Sequence, residues 1–447
     1  MKEPALAFEN REIGRRQLMQ AAAGAAAAPL LMANGASVAV RRPAPADFLW
    51  GTAISAHQSE GNNVNSDAWL AENIEPTLFR DRSGDACDSY HRYDEDFALA
   101  QQLGLNCYRL GVEWARIEPS EGHFSSAVLD HYKRVLETCR ARGLRPIVTL
   151  NHFTTPLWFA ARGGFEMADA PQLFARFCRI VAERLGGLMH LVTTFNEANI
   201  GLLVGLYPRS AEAAAAMQAA HQAAIAATAS PRFSRLAFSD PAVSTPILQQ
   251  AHRLAYDEIK AVRPGLPVGL TLTTQDIQSA GAPSLVAHYQ QRLYGDWIDV
   301  ARSHADFFGA QVYTRMVFDE KGMVAPSADA ELTQPGYEYY PQALANVVRW
   351  AHRAIGKPIY ITENGVAVKD DRRRIAFIDD ALDGVRTCLD EGIPVHSYLY
   401  WSLLDNFEWT SGYDIKFGLA AVDRKTFQRT PRPSAHHFGA LARANRL

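Results

Sequence analysis

Cysteine is scarce and unpatterned in this 447-residue chain. Five cysteines stand at 87, 107, 139, 178 and 388, with no CxxC and no short Cys/His cluster. That speaks against a structural zinc site, and an odd count in a long chain does not read as a disulfide framework. No bridge, no metal and no cofactor is expected. Charge of one sign is lacking too. With 45 basic and 48 acidic residues the formal net charge is -3. No strong field follows, so neither nucleic acid nor an anionic membrane surface is implied as a partner. Gly-rich phosphate loops are also missing. The first strand-like run leads into Ser55-Ala56-His57-Gln58-Ser59-Glu60-Gly61, which is no dinucleotide fingerprint, and no GxxxxGK[ST] occurs. Nucleotide chemistry is therefore disfavoured. Beyond the N-terminal region no segment is long and apolar enough to span a bilayer, and no Pro/Ser-rich linker divides residues 48–447.

What is present is ordinary for a chain with a large core: 48% hydrophobic and 21% charged residues, with 21 Phe, 16 Tyr and 8 Trp. The first 40 residues differ. Arg15 and Arg16 precede an alanine-rich, moderately apolar run from Leu18 to Met32, and Ser37-Val38-Ala39 offers small residues for cleavage. This pattern resembles a twin-arginine export signal. The alternative is an apolar N-terminal helix docked on the domain. The expected division is a signal peptide over residues 1–39 and one catalytic domain over 40–447. Such a signal implies passage through the twin-arginine export machinery, no stable membrane anchor after cleavage, and a periplasmic or secreted location.

From residue 48 onward, strand-like and helix-like runs alternate. Short β-branched or aromatic runs bounded by Gly, Pro or polar residues predict strands at 48–54, 106–113, 146–151, 191–196, 268–273, 307–313, 359–363 and 395–401. Helical spacing appears in 341–355 (Leu344, Val347, Val348, Ala351, Ile355) and in 374–391 (Ile375, Ile378, Leu382, Val385, Leu389). The alanine-rich stretch 211–229 is helix-prone, with Ser210 as its N-cap. Eight strands separated by helices predict an α/β fold, a single (β/α)8 TIM barrel; the rival is an open doubly wound sheet.

Functional residues of such a barrel gather at the C-terminal strand ends. There the chain places Gln58 and Glu60, Arg109 with Glu113 and Trp114, Asn151 and His152, Asn196 and Glu197, Gln311 and Tyr313, Glu363, and Trp401 with Glu408 and Trp409. Two carboxylates after strands four and seven face one cavity. Amides and a histidine suit sugar hydroxyls, and tryptophans suit an apolar ring face. Paired carboxylates of this kind suit glycoside hydrolysis. Arg109 and Tyr313 are placed to keep Glu363 ionised, while Glu197 starts out protonated because a second negative charge nearby is unfavourable. The acidic cluster Asp94-Glu95-Asp96 reads as a solvated helix start, not a metal site.

These residues sit in motifs that resemble family 1 glycoside hydrolases, the β-glucosidase and β-galactosidase type, over about residues 46–440. Phe48-Leu49-Trp50-Gly51-Thr52-Ala53 with Gln58 and Glu60-Gly61 is similar to the family's N-terminal signature. Thr194-Phe195-Asn196-Glu197 and Ile361-Thr362-Glu363-Asn364-Gly365 resemble its two catalytic motifs. Residues 401–409, Gly412-Tyr413 and Phe417-Gly418-Leu419 resemble its sugar-binding C-terminal signature. The resemblance implies a retaining exo-β-glycosidase acting on a small-molecule β-glycoside or oligosaccharide through a glycosyl-enzyme intermediate. It implies Glu197 as acid/base and Glu363 as nucleophile. Gln58, His152, Asn196, Glu408 and Trp409 would hold the sugar, with Trp401 beneath it. The chain departs from the family pattern at Ala198 (usually Pro), Phe153 (usually Trp) and Gln311-Val312 (usually Asn-Tyr), and its loop 199–210 is short. Glu408 argues against 6-phosphorylated sugars, since a carboxylate there repels phosphate. A transglycosidase using the same site is the alternative, and a sugar-binding barrel without catalysis is the more distant one.

Overall fold

The computed structural model describes residues 42–207 and 210–447. The expected export signal, 1–39, lies outside the described residues. Eight strands make the frame: β1 (Leu49–Ala53), β2 (Cys107–Gly111), β3 (Arg145–Asn151), β4 (Leu191–Phe195), β5 (Val268–Thr273), β6 (Phe307–Val312), β7 (Ile359–Asn364) and β8 (Val395–Trp401). All pair in parallel, and β1 closes the ring by pairing with both β2 and β8. The chain is thus a (β/α)8 barrel, with helices between the strands. Strands buried on both faces read as continuous apolar or small runs, such as Val268–Thr273.

The period-two alternation of side chains stacks layers inside the ring. Leu49, Cys107, Ile147, Leu191, Phe307 and Leu399 form a floor separate from the main core. Two residues further along, β2 supplies Arg109 and β8 supplies Trp401; further along β6 stands Gln311. The polar layer therefore rests on a packed apolar one. Phe307 fits because its neighbour on β5 is Gly269, where a Cβ would lie 2.2 Å from the Phe307 ring.

The helices cover the outside. Ala343–Ile355 buries Leu344, Val347, Val348, Ala351 and Ile355, the expected face. Asp371–Asp390 buries Phe377, Ile378, Leu382, Val385 and Cys388. Its stripe is rotated relative to the expected one, leaving Ile375 and Leu389 half-buried. Ala211–Thr228 is capped by Ser210, whose hydroxyl accepts from the Ala213 N–H at 3.2 Å.

Three expectations are corrected. The second strand stops at Gly111, because Glu113 caps the short helix Trp114–Ile117 by accepting from the Ala115 N–H. Trp114 is core, packed on Phe159, Phe174 and Phe177. Asp96 is no solvated helix residue: it is buried, accepts from Ser89 at 2.7 Å and pairs with Arg429 at 2.8 Å. Glu60 shapes its loop by pairing with Arg116 at 2.9 Å and accepting from the Tyr132 hydroxyl. Among the described residues no helix is long and apolar enough to cross a membrane. All five cysteines are buried and unpaired.

Candidate active site

The C-terminal strand ends open into a cavity of about 380 Å³. Gln58, His152, Asn196, Glu197, Tyr313, Glu363, Trp401, Glu408 and Trp409 all line it. Arg109 does not; it is fully buried beneath, where alternation along β2 points it into the ring.

Arg109 bonds two neighbours. One terminal nitrogen donates to Glu363 Oε1, and the other to Asn196 Oδ1 at 2.6 Å. The Tyr313 hydroxyl donates to Glu363 Oε2 at 2.6 Å. Both oxygens of Glu363 are therefore held, one by a cation. Gln311 joins this network: its amide donates to Asn196 Oδ1 at 2.6 Å, and its Oε1 accepts from the Glu197 N–H at 3.2 Å. Asn196 Oδ1 is occupied twice, which leaves its amide nitrogen for a ligand.

Glu197 follows β4 in a left-handed conformation, φ 44°. Such a φ is uncommon for a side-chain-bearing residue and persists only where surroundings impose it. Here the Glu197 N–H is shared between Thr271 Oγ1 and Gln311 Oε1, both at 3.2 Å. Ala198 stands where the resembled family usually has proline. Its N–H donates to the Thr271 carbonyl at 3.1 Å, a bond proline lacks.

The two carboxylates differ in surroundings. Burial pushes Glu197 up to about 8, and the charge of Glu363 adds to that, against a hydrogen bond from Thr273 and the more distant Arg109. Burial also raises Glu363, but Arg109, Tyr313 and Gln311 all pull it back. A proton shared by the pair therefore sits on Glu197. Glu408 is likewise pushed up to about 8, by burial and then by Glu363.

The opposite wall is aromatic and amide. His152 stacks on Trp401, centroids 5.6 Å apart, and Trp409 stacks on His57 at 5.6 Å. Burial, then Arg109, lowers the His152 pKa well below its usual range, so the ring is neutral. Phe153 meets the edge of Trp409 at 5.4 Å. Gln58 Nε2 donates to the Phe407 carbonyl at 2.9 Å and to Glu408 Oε2 at 3.3 Å, which fixes the loop after β8 against the one after β1.

Sequence motifs missed several lining residues. Thr273 ends β5, and Tyr337 comes from a loop after β6. The Tyr337 hydroxyl is buried without a partner among the described residues. Thr273 was reachable from its strand-end position; nothing local marks Tyr337.

Comparisons with known proteins agree with this geometry. The profile of glycosyl hydrolase family 1 matches residues 40–257 and 296–447. The chain is 29% identical to a β-glucosidase of Agrobacterium sp., over 89% of this chain and 95% of that one. It is 28% identical to β-glucosidase A of Thermotoga maritima, over 90% and 98%. Among solved structures, a β-glucosidase designated 1317 superposes with a TM-score of 0.85 at 46% identity, covering 89% of this chain and 98% of that one. The β-glycosidase BGL167 superposes with a TM-score of 0.84 at 45% identity, covering 90% and 98%. A barrel with two unequally held carboxylates at the ends of β4 and β7, matched along nearly its whole length, belongs to glycosyl hydrolase family 1 and is a glycoside hydrolase.

Proposed function

We propose that the chain is a retaining exo-β-glycosidase that hydrolyses β-glucosides or related β-glycosides by double displacement. The observation that carries this reading is the inequality of the two carboxylates. Glu363, held by Arg109 and Tyr313, is the nucleophile; Glu197, neutral near pH 7, is the acid. In the first step a Glu363 oxygen attacks the anomeric carbon while Glu197 protonates the departing glycosidic oxygen. The sugar is then an ester of Glu363, and the negative charge that raised Glu197 is gone. Glu197, now ionised, takes a proton from water; the water oxygen attacks the anomeric carbon and the Glu363 carboxylate leaves. Two inversions give net retention. Gln58, His152, Asn196 and Glu408 supply polar partners for sugar hydroxyls, and Trp401 and Trp409 the apolar platform. The names of the β-glucosidase relatives support glucose, or a sugar close to it, as the glycone. Residues 1–39 direct the chain out of the cytoplasm through twin-arginine export, and the enzyme acts in the periplasm or outside.

Hydrolysis of a chromogenic aryl β-glucoside, followed by NMR, is expected to release the β-anomer first. Release of the α-anomer would overturn double displacement. The same assay checks the pH dependence. Below the pKa of Glu363 the nucleophile is protonated and kcat/KM falls. Above about 8 Glu197 loses its proton and kcat/KM falls again. The expected profile is a bell with its alkaline limb near 8. A rate still rising beyond pH 9 would remove Glu197 from the acid role.

A further inference from the structure

A second cavity, of about 630 Å³, adjoins the first and shares Phe79, Arg235 and Phe238 with it. Its far side is lined by Met217, Ala220 and Ala224 of the helix Ala211–Thr228. The small side chains of that helix are what leave the space. The two cavities meet at Arg235. Its guanidinium lies over the Phe79 ring at 5.3 Å and the Phe238 ring at 5.2 Å. Two buried acids lie near it, Glu72 and Asp67, and the Oδ2 of Asp67 is 3.7 Å from Nε, beyond hydrogen-bond range. Asp67 Oδ1 is already occupied by the Ala68 and Thr155 N–H groups. Among the described residues Arg235 side-chain nitrogens donate no hydrogen bond, and Nε is buried without a partner. The side chain is 14% exposed, so this cation is largely removed from water and incompletely paired. Such a group costs free energy unless a ligand completes it.

The charges around the second cavity point the same way. Arg232 lines it beside Arg235. The one acid among its lining residues, Glu166, has its Oε1 satisfied by the Ser234 hydroxyl and the Asp240 N–H, both at 2.9 Å. Apolar walls with an under-paired arginine at the entrance suit a flat apolar group carrying an anion.

We propose that the second cavity is an extended aglycone chamber, and that the enzyme's preferred substrates are β-glycosides of aromatic acids longer than one ring. Arg235 pairs with the aglycone carboxylate from its chamber side, and the apolar body passes Phe79 and Phe238 to reach it, with the alanine-rich helix as the chamber's far wall. This rests on the hydrolase reading above and names its substrate class. Arg235 touches no sugar in this arrangement; it is a specificity residue.

The test compares three glucosides: phenyl, 4′-carboxybiphenyl-4-yl and its 4′-carboxamide counterpart. The wild-type enzyme is expected to show kcat/KM at least 10-fold higher for the acid than for the amide. Arg235→Met is expected to abolish that preference and Arg235→Lys to keep part of it. A purely structural role for Arg235 would lower all three rates together. Ala220→Trp, which fills the chamber from the helix side, is expected to lower the biphenyl-to-phenyl ratio at least 10-fold. Equal rates for acid and amide in the wild type, or an unchanged ratio in Ala220→Trp, overturn the proposal while leaving the hydrolase reading intact. If no glucoside is cleaved, the glucoside reading fails and calorimetry with free 4′-hydroxybiphenyl-4-carboxylate decides the chamber. Binding that weakens at least 10-fold in Arg235→Met supports it; no binding to the wild type overturns it.

Discussion

Glu363→Ala is expected to lower kcat/KM for an aryl β-glucoside by about 10⁴- to 10⁶-fold, the range found when a covalent catalytic unit loses an essential member. Nothing else in the cavity replaces it: no other carboxylate there is held by both Arg109 and Tyr313, and Glu408 is tied to Gln58. The substitution removes more than a nucleophile. Arg109 is fully buried and loses its ion-pair partner, and stranding a buried charge costs about 3–5 kcal/mol. Thermal unfolding must therefore be measured beside activity, to separate lost chemistry from lost structure. Added azide gives a sharper check. It fills the space left by the carboxylate and attacks the anomeric carbon once, so the product is the α-glycosyl azide. A folded variant retaining a hundredth of wild-type activity, or giving the β-azide, would sink the assignment of Glu363.

Glu197→Ala is expected to show a different signature. Loss of a general acid costs about 10²- to 10⁴-fold where the leaving group needs its proton. An alkyl glucoside should suffer that loss in kcat/KM, whereas a dinitrophenyl glucoside, whose phenolate departs unaided, should be nearly untouched in its first step. Its turnover then stalls at the glycosyl-enzyme, because no base activates water. Azide needs no base, so it should restore turnover and yield the β-glycosyl azide. The alkaline limb near 8 should also weaken, since burial and Glu363 no longer have a Glu197 proton to hold. Equal losses across all leaving groups would mean that Glu197 holds structure and transfers no proton.

The sequence was most readable where side-chain pattern and position coincide. Leu191–Phe195 and Ile359–Asn364 are short buried runs with a carboxylate close to their ends, so strand, end and acid could be located together. Arg109 was legible because a buried arginine needs an anion, and Glu363 was the available one. Gln311 was visible as a departure from a family pattern, but its bonds to Asn196 and the Glu197 backbone depend on three strands coming together. Asp96 misled because charge clusters at helix starts are usually solvated, and its partner Arg429 lies 333 residues away. The alanine-rich helix carried no chemistry in its letters. Its meaning lies in what stands opposite, Phe79 and Phe238, and no local pattern announces that pairing.

Closure of the ring has a consequence for how the chain is made. β1 is the first strand of the barrel to leave the ribosome, yet one of its two neighbours, β8, ends only at Trp401. The Trp50 indole N–H waits longer still for its acceptor, Asn445 Oδ1 at 2.8 Å. Until those residues emerge, the growing sheet has two unpaired edges, and each offers N–H and C=O groups to any extended chain nearby. The nascent protein is thus exposed to mispairing for nearly the whole of its translation. Protection comes late and all at once, when the last strand seats between β7 and β1.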